Sequence, residues 1–175
     1  MPGSASVVTV SPAETPADLD DVRDLIRAFV AWHRGRHRED AALIDRYFDA
    51  DAFEAELASL PGKYAPPGGR LLLATLDGRP AGCVALRPID AGACEMKRMF
   101  VRTDLHGKGV GRALGRAIID EARAGGYRRM YLDTSVRQQE ALTLYRSFGF
   151  REIEPYYDVP QELRNWLVFM ELRLA

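Results

Sequence analysis

The sequence predicts an α/β fold made of one domain. Three observations lead there. Short segments of alternating apolar character recur along the chain between turn signals, as strands do. Two stretches, from Leu19 to Val30 and from Val110 to Ala122, place apolar residues at helical spacing. One strand-like segment, ending near Arg102, runs through a glycine-rich turn straight into the second of these helices. With 175 residues and 47% hydrophobic content, the chain is long enough to bury a full core. No internal repeat and no long linker divides residues 1–175.

The elements follow in order. Val7–Val10 reads as a first strand. Thr15-Pro16-Ala17-Asp18 is a helix start, with a capping hydroxyl, a proline in the first turn and an acid at the positive end. Leu19, Val22, Ile26, Phe29 and Val30 form the stripe that this helix buries. A second helical region carries Leu43, Tyr47, Phe53 and Leu57, is interrupted near Asp49-Ala50-Asp51, and stops at Pro66-Pro67-Gly68-Gly69. Arg70–Thr75 and Pro80–Leu86 read as a hairpin closed at Asp77-Gly78, a strong tight-turn signal. Cys94–Arg102 pairs next, through Asp90-Ala91-Gly92. After the glycine turn and its helix come a strand at Met130–Thr134, a helix from Glu140 that ends at Gly149, and an apolar strand within Leu163–Leu174.

The segment from Arg98 to Leu114 carries most of the functional information. Glycines at 107, 109 and 111 allow positive φ and let backbone approach a ligand without a Cβ between them. A strand, such a turn and a helix start aim several N–H groups and the helix dipole at one point, where an anionic group, above all a phosphate, fits. Lys108, Arg112 and Arg116 add positive charge. A glycine cluster that merely makes a tight turn is the plainer reading. The dinucleotide fingerprint G-x-G-x-x-G fails because Arg112 replaces its third glycine. A looser version on Gly109, Gly111 and Gly115, with Asp133 as ribose acid, leaves too little chain for a doubly wound domain.

His106-Gly107-Lys108-Gly109-Val110-Gly111 resembles the acyl-CoA-binding pattern [Q/R]-x-x-G-x-[G/A] of the GNAT superfamily of N-acyltransferases, with His106 in the first position. Further on, Ala141, Leu144, Tyr145, Gly149 and Phe150 match the family's A-x-x-L-Y-x-x-x-G-F, and Gln138 stands where the family often has Asn. Two motifs in the right order, one helix and one strand apart, are far more specific than either alone. The resemblance extends from about Arg70 to the C-terminus. It implies a GNAT-type domain, with a mixed, largely antiparallel twisted sheet of about six to seven strands that splays near the cofactor, and helices on both faces.

The implied activity is transfer of an acetyl group from acetyl-CoA to a primary amine by direct attack. Such a transfer needs a neutral amine, a stabilised oxyanion and a proton for the departing thiolate. A lysine-like amine has a pKa of ~10.4, so only about one in a thousand is neutral at pH 7, and a positioned base contributes about 10²–10⁴-fold. The resemblance points to Glu95, eleven positions before His106, as base, and to Tyr145 as the acid that protonates coenzyme A. It places the pantetheine arm along Met99, Phe100 and Val101, with the N–H of Val101 or a neighbour polarising the thioester carbonyl. The phosphates fall to His106, Gly107 and Lys108 and to Gly109, Val110, Gly111 and Arg112, with Gln138 as a polar contact. On the residues alone, Glu95 reads equally as a solvated glutamate near a strand start, and Tyr145 as a packing tyrosine. A non-catalytic acyl-CoA-binding sensor or interaction module is the rival from another class; an enzyme using a longer acyl-CoA is a third reading.

Composition narrows the rest. Net charge is −1, yet residues 1–60 carry twelve acids against six bases and the remainder eighteen bases against thirteen acids. The positive excess lies around the glycine turn, as an anionic cofactor requires. A nucleic-acid binder is usually basic overall, so none is expected. No apolar run reaches the roughly 20 residues that span a bilayer. Met1–Ala5 has neither the charge nor the apolar stretch of a signal peptide. Cys83 and Cys94 read as buried free thiols of a reducing compartment, outside the catalytic motifs, so a cytoplasmic enzyme with no covalent intermediate is expected. His33 and His37, four apart, lack a third ligand and read as part of a solvated basic loop; no metal is expected. Tyr156-Tyr157-Asp158 is a candidate wall of the acceptor pocket. The acids at Glu39, Asp40, Asp45, Asp49 and Asp51 would attract a cationic amine or else simply face water. The acceptor is expected to be a small-molecule or peptide amine, and the assembly a monomer or homodimer.

Overall fold

The computed structural model describes residues 5–175; the signal-peptide reading rests mainly on residues 1–4, which lie outside that range. Seven strands form one sheet in the order β1-β2-β3-β4-β5-β7-β6. They are β1 Val8–Pro12, β2 Arg70–Leu76, β3 Arg79–Pro88, β4 Ala93–Val101, β5 Arg129–Ser135, β6 Arg151–Ile153 and β7 Leu167–Arg173. All neighbours are antiparallel except β4 and β5, which run parallel. That one parallel pair is short: only Ala93, Cys94 and Glu95 face Arg129, Met130 and Tyr131. Beyond Glu95 the two strands part, and the sheet opens in its middle.

Helices cover both faces. On one side lie α1 Pro16–Arg36, α2 Ala41–Tyr47 and α3 Ala50–Ala58; α4 Val110–Ala124 and α5 Gln139–Ser147 lie on the other, and a short α6 Gln161–Arg164 precedes β7. Helix α1 begins as its sequence predicts, because Thr15 Oγ accepts the Asp18 N–H while Asp18 accepts the Thr15 N–H. Its buried Val22, Leu25 and Ile26 pack with Leu71, Leu73 and Cys83 on one face of the sheet. On the opposite face, Val110, Leu114 and Ile118 of α4 pack against Leu72, Val84 and Met96. Each such fully buried aliphatic side chain contributes about 1.5–3 kcal/mol. The β2–β3 turn has positive φ at Asp77 and Gly78, the geometry its Asp-Gly pair predicts.

Strand β4 contains the irregularity that shapes the site. Cys83 of β3 pairs with Phe100 and Ala85 pairs with Lys97, so Arg98 and Met99 together lie opposite Val84. This is a β-bulge, with Arg98 at φ 55. Before it, Cys94 and Met96 face the α4 side; after it, Met99 and Val101 do, while Phe100 packs on the α1 side.

Two stretches differ from their sequence reading. The chain around His33 is not a solvated loop: α1 runs through it, and His33 is buried with its ring stacked on Trp166. Helix formation there is secured by a partner far along the chain, against the local cost of Gly35. The last strand begins at Leu167 rather than Leu163, because Leu163 lies in α6 and packs with Ile44 and Trp166. Both cysteines are free and buried, and burial pushes each thiol up to about 12. Among the described residues there is no group of three metal-ligating side chains, and no helix is long and apolar enough to cross a membrane.

Candidate active site

The opening between β4 and β5 leads into a cavity of about 500 Å³. Met99, Phe100 and Val101 of β4 form one wall; His106, Gly107 and Gly109 form the turn; Val110, Gly111 and Arg112 begin α4. Gln138 and Tyr145 close it from α5 and the residue before it. Of the residues expected at the donor site, Lys108 alone is not in this wall; it is exposed on the outer side of the turn. Phe29, Trp32 and Glu140 also line the cavity; the sequence marked Phe29 only as part of a buried helix stripe and Glu140 only as a helix start, and did not mark Trp32. They come from α1 and α5, and only the tertiary packing brings them to the turn.

The backbone of the turn is arranged for an anion. Gly107 and Gly109 have φ of 78 and 84, and a Cβ added to either would meet no atom within 4 Å, so the concave side is open. The N–H groups of Gly107, Gly109, Val110, Gly111 and Arg112 find no acceptor among the described residues. Unpartnered donors at a helix start are a ready anion site. His106 Nε2 lies 3.1 Å from the Val101 carbonyl, so the Nε2–H tautomer ties the turn to the end of β4.

The cavity continues inward. Phe29, Met99, Gln138 and Tyr145 belong also to a narrower chamber of about 60 Å³, which reaches His33, Lys97 and Asp133. Gln138 is 6% exposed and its Nε2 has no hydrogen-bond partner among the described residues, so a buried amide donor stands free where the two spaces meet. Burying such a donor unpaired costs about 1–3 kcal/mol, which a ligand carbonyl would offset. The cradle, the free Gln138 amide and the cavity's volume together have room for a pantetheine arm with a phosphate head. Tyr145 is buried, and burial first, with the Asp133 charge second, raises its hydroxyl well above the ordinary tyrosine value. It therefore stays protonated at neutral pH.

A third chamber, of about 300 Å³, adjoins the second through Tyr47, Lys97 and Arg98 and is lined further by Arg46, Arg87, Glu95 and Tyr157. Glu95 lies here and not in the donor cavity. It is 1% exposed, so the solvated reading of it does not describe this fold. Arg87 Nε donates to it at 2.6 Å and the Tyr156 hydroxyl donates to its other oxygen. Asp133 of β5 is the second buried carboxylate: Tyr47 donates to it at 2.6 Å, Tyr157 donates to its other oxygen, and Lys97 Nζ lies 3.7 Å away. Tyr156 and Tyr157 thus both reach the inner chambers. The acids of the N-terminal third do not: Asp40 accepts from Arg137 and Trp166, Asp45 pairs with Arg34, and Asp49 caps α3. Asp133 entered the sequence reading only as a ribose acid, and no local signal marks it as one wall of a chamber.

The whole arrangement can be set beside known proteins. The sequence is 35% identical over 172 residues to an uncharacterized N-acetyltransferase of Schizosaccharomyces pombe, covering 97% of each chain. The fold superposes on an acetyltransferase from Streptococcus agalactiae with a TM-score of 0.72 at 22% identity, over 95% of this chain and 98% of that one. A GNAT family acetyltransferase from Elizabethkingia anophelis, solved with acetyl-CoA bound, aligns with a TM-score of 0.60 at 18% identity over 95% and 97%. Residues 23–150, which include the opened β4 and the glycine turn on α4, match the Acetyltransferase (GNAT) family, and the chain belongs to it.

Proposed function

We propose that residues 1–175 act as one acyl-CoA N-acyltransferase unit that moves an acetyl group from acetyl-CoA to a primary amine by direct attack. The observation that carries this reading is the row of unpartnered N–H groups at the start of α4, opening on a cavity that meets a second, polar chamber at Gln138 and Tyr145. The donor supplies an activated thioester. The turn from Gly107 to Arg112 holds its phosphates, and Gln138 Nε2 donates to a carbonyl of its arm. The Arg102 N–H donates back to Ala81 of β3, so by strand alternation the Val101 N–H points into the opening and is placed to polarise the thioester carbonyl.

The remaining steps belong to side chains. The amine nitrogen bonds to the acyl carbon as the carbon–sulfur bond breaks. The amine proton passes to a carboxylate, and Tyr145 gives its proton to the departing sulfur. Glu95 is the base in this reading, with Arg87 and Tyr156 fixing its orientation. Asp133 is a second reading for that role, favoured by its place in the chamber that Tyr145 also lines. Cytoplasmic action agrees with two free, buried thiols.

The deciding experiment is calorimetric titration with acetyl-CoA, followed by free-thiol release with a panel of amines. The wild type is expected to bind, and Gly109→Glu/Gly111→Glu to lose binding. Arg112→Glu, at an exposed position that leaves the turn intact, is expected to weaken it about tenfold. Tyr145→Phe should keep binding and lose about 10²-fold or more in kcat. Binding without thiol release from any amine would favour the sensor reading, and a folded wild type that binds no acyl-CoA would overturn both. Release from longer acyl-CoAs in preference to acetyl-CoA would redirect the donor assignment.

A further inference from the structure

The third chamber carries a charge pattern that the transfer chemistry does not itself require. Four cations, Arg46, Arg87, Lys97 and Arg98, face one carboxylate, Glu95, across its walls. Their existing partners are unequal. Arg98 is held by a two-point contact with Glu56, at 2.7 and 3.1 Å, and is satisfied there. Arg87 uses Nε for Glu95, and its two terminal nitrogens find no partner among the described residues. Lys97 donates to the Tyr47 hydroxyl at 3.2 Å and stands between the two chambers. Arg46, on the exposed side of α2, makes no ion pair with any described residue.

We propose that the acceptor is an amine that also carries a carboxylate, with the carboxylate held in the third chamber by Arg46 and the free end of Arg87 and the amine directed inward past Lys97 toward Asp133, the second of the two bases named above, which takes the amine proton in this arrangement. The proposal rests on the acetyltransferase reading above. A guanidinium fork matches a carboxylate in shape and charge, and two of them lining one chamber select for it. Among the residues that line the inner chamber, Asp133 is the one carboxylate; it accepts from Tyr47 and Tyr157 and lies beside Lys97, while Arg98 on the same lining is held by Glu56. A diamine or polyamine would bring a second ammonium against Arg46 and Arg87. The acids that would welcome it, Asp40, Asp45 and Asp49, are engaged elsewhere.

Charge-matched acceptors test this directly. Free-thiol release is measured with 4-aminobutanoate, aspartate and glutamate against 4-aminobutanol and 1,4-diaminobutane, at saturating acetyl-CoA. The acids are expected to lead in kcat/KM by about tenfold or more, the value of one charge-assisted contact. Arg46→Glu should raise KM for the preferred acid about tenfold while kcat changes little, and Arg46→Lys should recover most of that loss. Equal or better turnover of the amino alcohol or the diamine overturns the proposal and leaves the transfer reading in place. Absence of thiol release from every amine, with acetyl-CoA still bound, overturns the transfer reading instead. Calorimetric titration of the CoA-saturated protein with 4-aminobutanoate then decides the charge assignment alone: binding that disappears in Arg46→Glu upholds it, and no binding overturns it.

Discussion

At Glu56, burial acts to raise the carboxyl, and the Arg98 fork and the Lys63 ammonium outweigh it and hold it at about 2. The sign of the pH effect follows. The folded value lies below the ordinary 4.5, so the stabilisation is complete above about 4.5 and disappears as pH falls through about 2. Its size is about 3 kcal/mol. Glu56→Gln is expected to lower the thermal midpoint at pH 7 and to flatten its fall between about pH 5 and 2, as read from melts across pH. A variant with the wild-type acid profile would show that other carboxylates set it. Single residues were legible in the sequence where a motif fixes their place, as for Gly109 and Tyr145. Glu95 was legible as a position and not as an environment. Its partners, Arg87 and Tyr156, reach it through a strand register and a distant loop that local pattern does not encode.

Gly115 of α4 packs against Phe148, the residue that ends α5. A Cβ there would stand 2.3 Å from the Phe148 ring, so the glycine permits the contact that sets α5, and with it Leu144 and Tyr145, against the donor cavity. Gly115→Val should destabilise the fold by about 1–3 kcal/mol through overpacking and also weaken acetyl-CoA binding; Asp120→Ala, on the same helix and exposed, should do neither. Denaturant melts and calorimetry read the two effects separately. Helix α4 was fully legible because its apolar stripe is regular and its glycine turn announces its start. The end of α1 was not, because the stack of His33 on Trp166 is a long-range contact. The bulge in β4 was hidden for the same reason: nothing in the run from Glu95 to Val101 tells which residue the partner strand will skip.

On the scale of the whole chain, three residue pairs between β4 and β5 join the two halves of the sheet at this seam. A ligand seated in the opening touches both halves. At a concentration one hundred times its Kd it stabilises the native state by about 2.7 kcal/mol, and for a chain of this size that raises the thermal midpoint by about 5–10 °C. Scanning calorimetry with and without coenzyme A measures it. The two thiols give an independent reading, since Cys94 packs on the α4 face and Cys83 on the α1 face. Both are fully buried and held protonated. Maleimide labelling of either should be slow in the native protein, slower still with coenzyme A, and should accelerate together as denaturant opens the two faces at once. Labelling of one thiol well before the other would mean that the two faces of the sheet open separately.

The bulge at Arg98 and Met99 works like a change of reading frame. Because β4 counts one residue more than β3 at that point, Glu95 and Lys97 on one side of it and Phe100 on the other share a face, although their numbers differ in parity. Point substitutions along β4 therefore alter one wall position each. Adding or deleting a single residue there would turn every side chain beyond it to the opposite face, so the two cavities constrain the length of β4 more tightly than its composition.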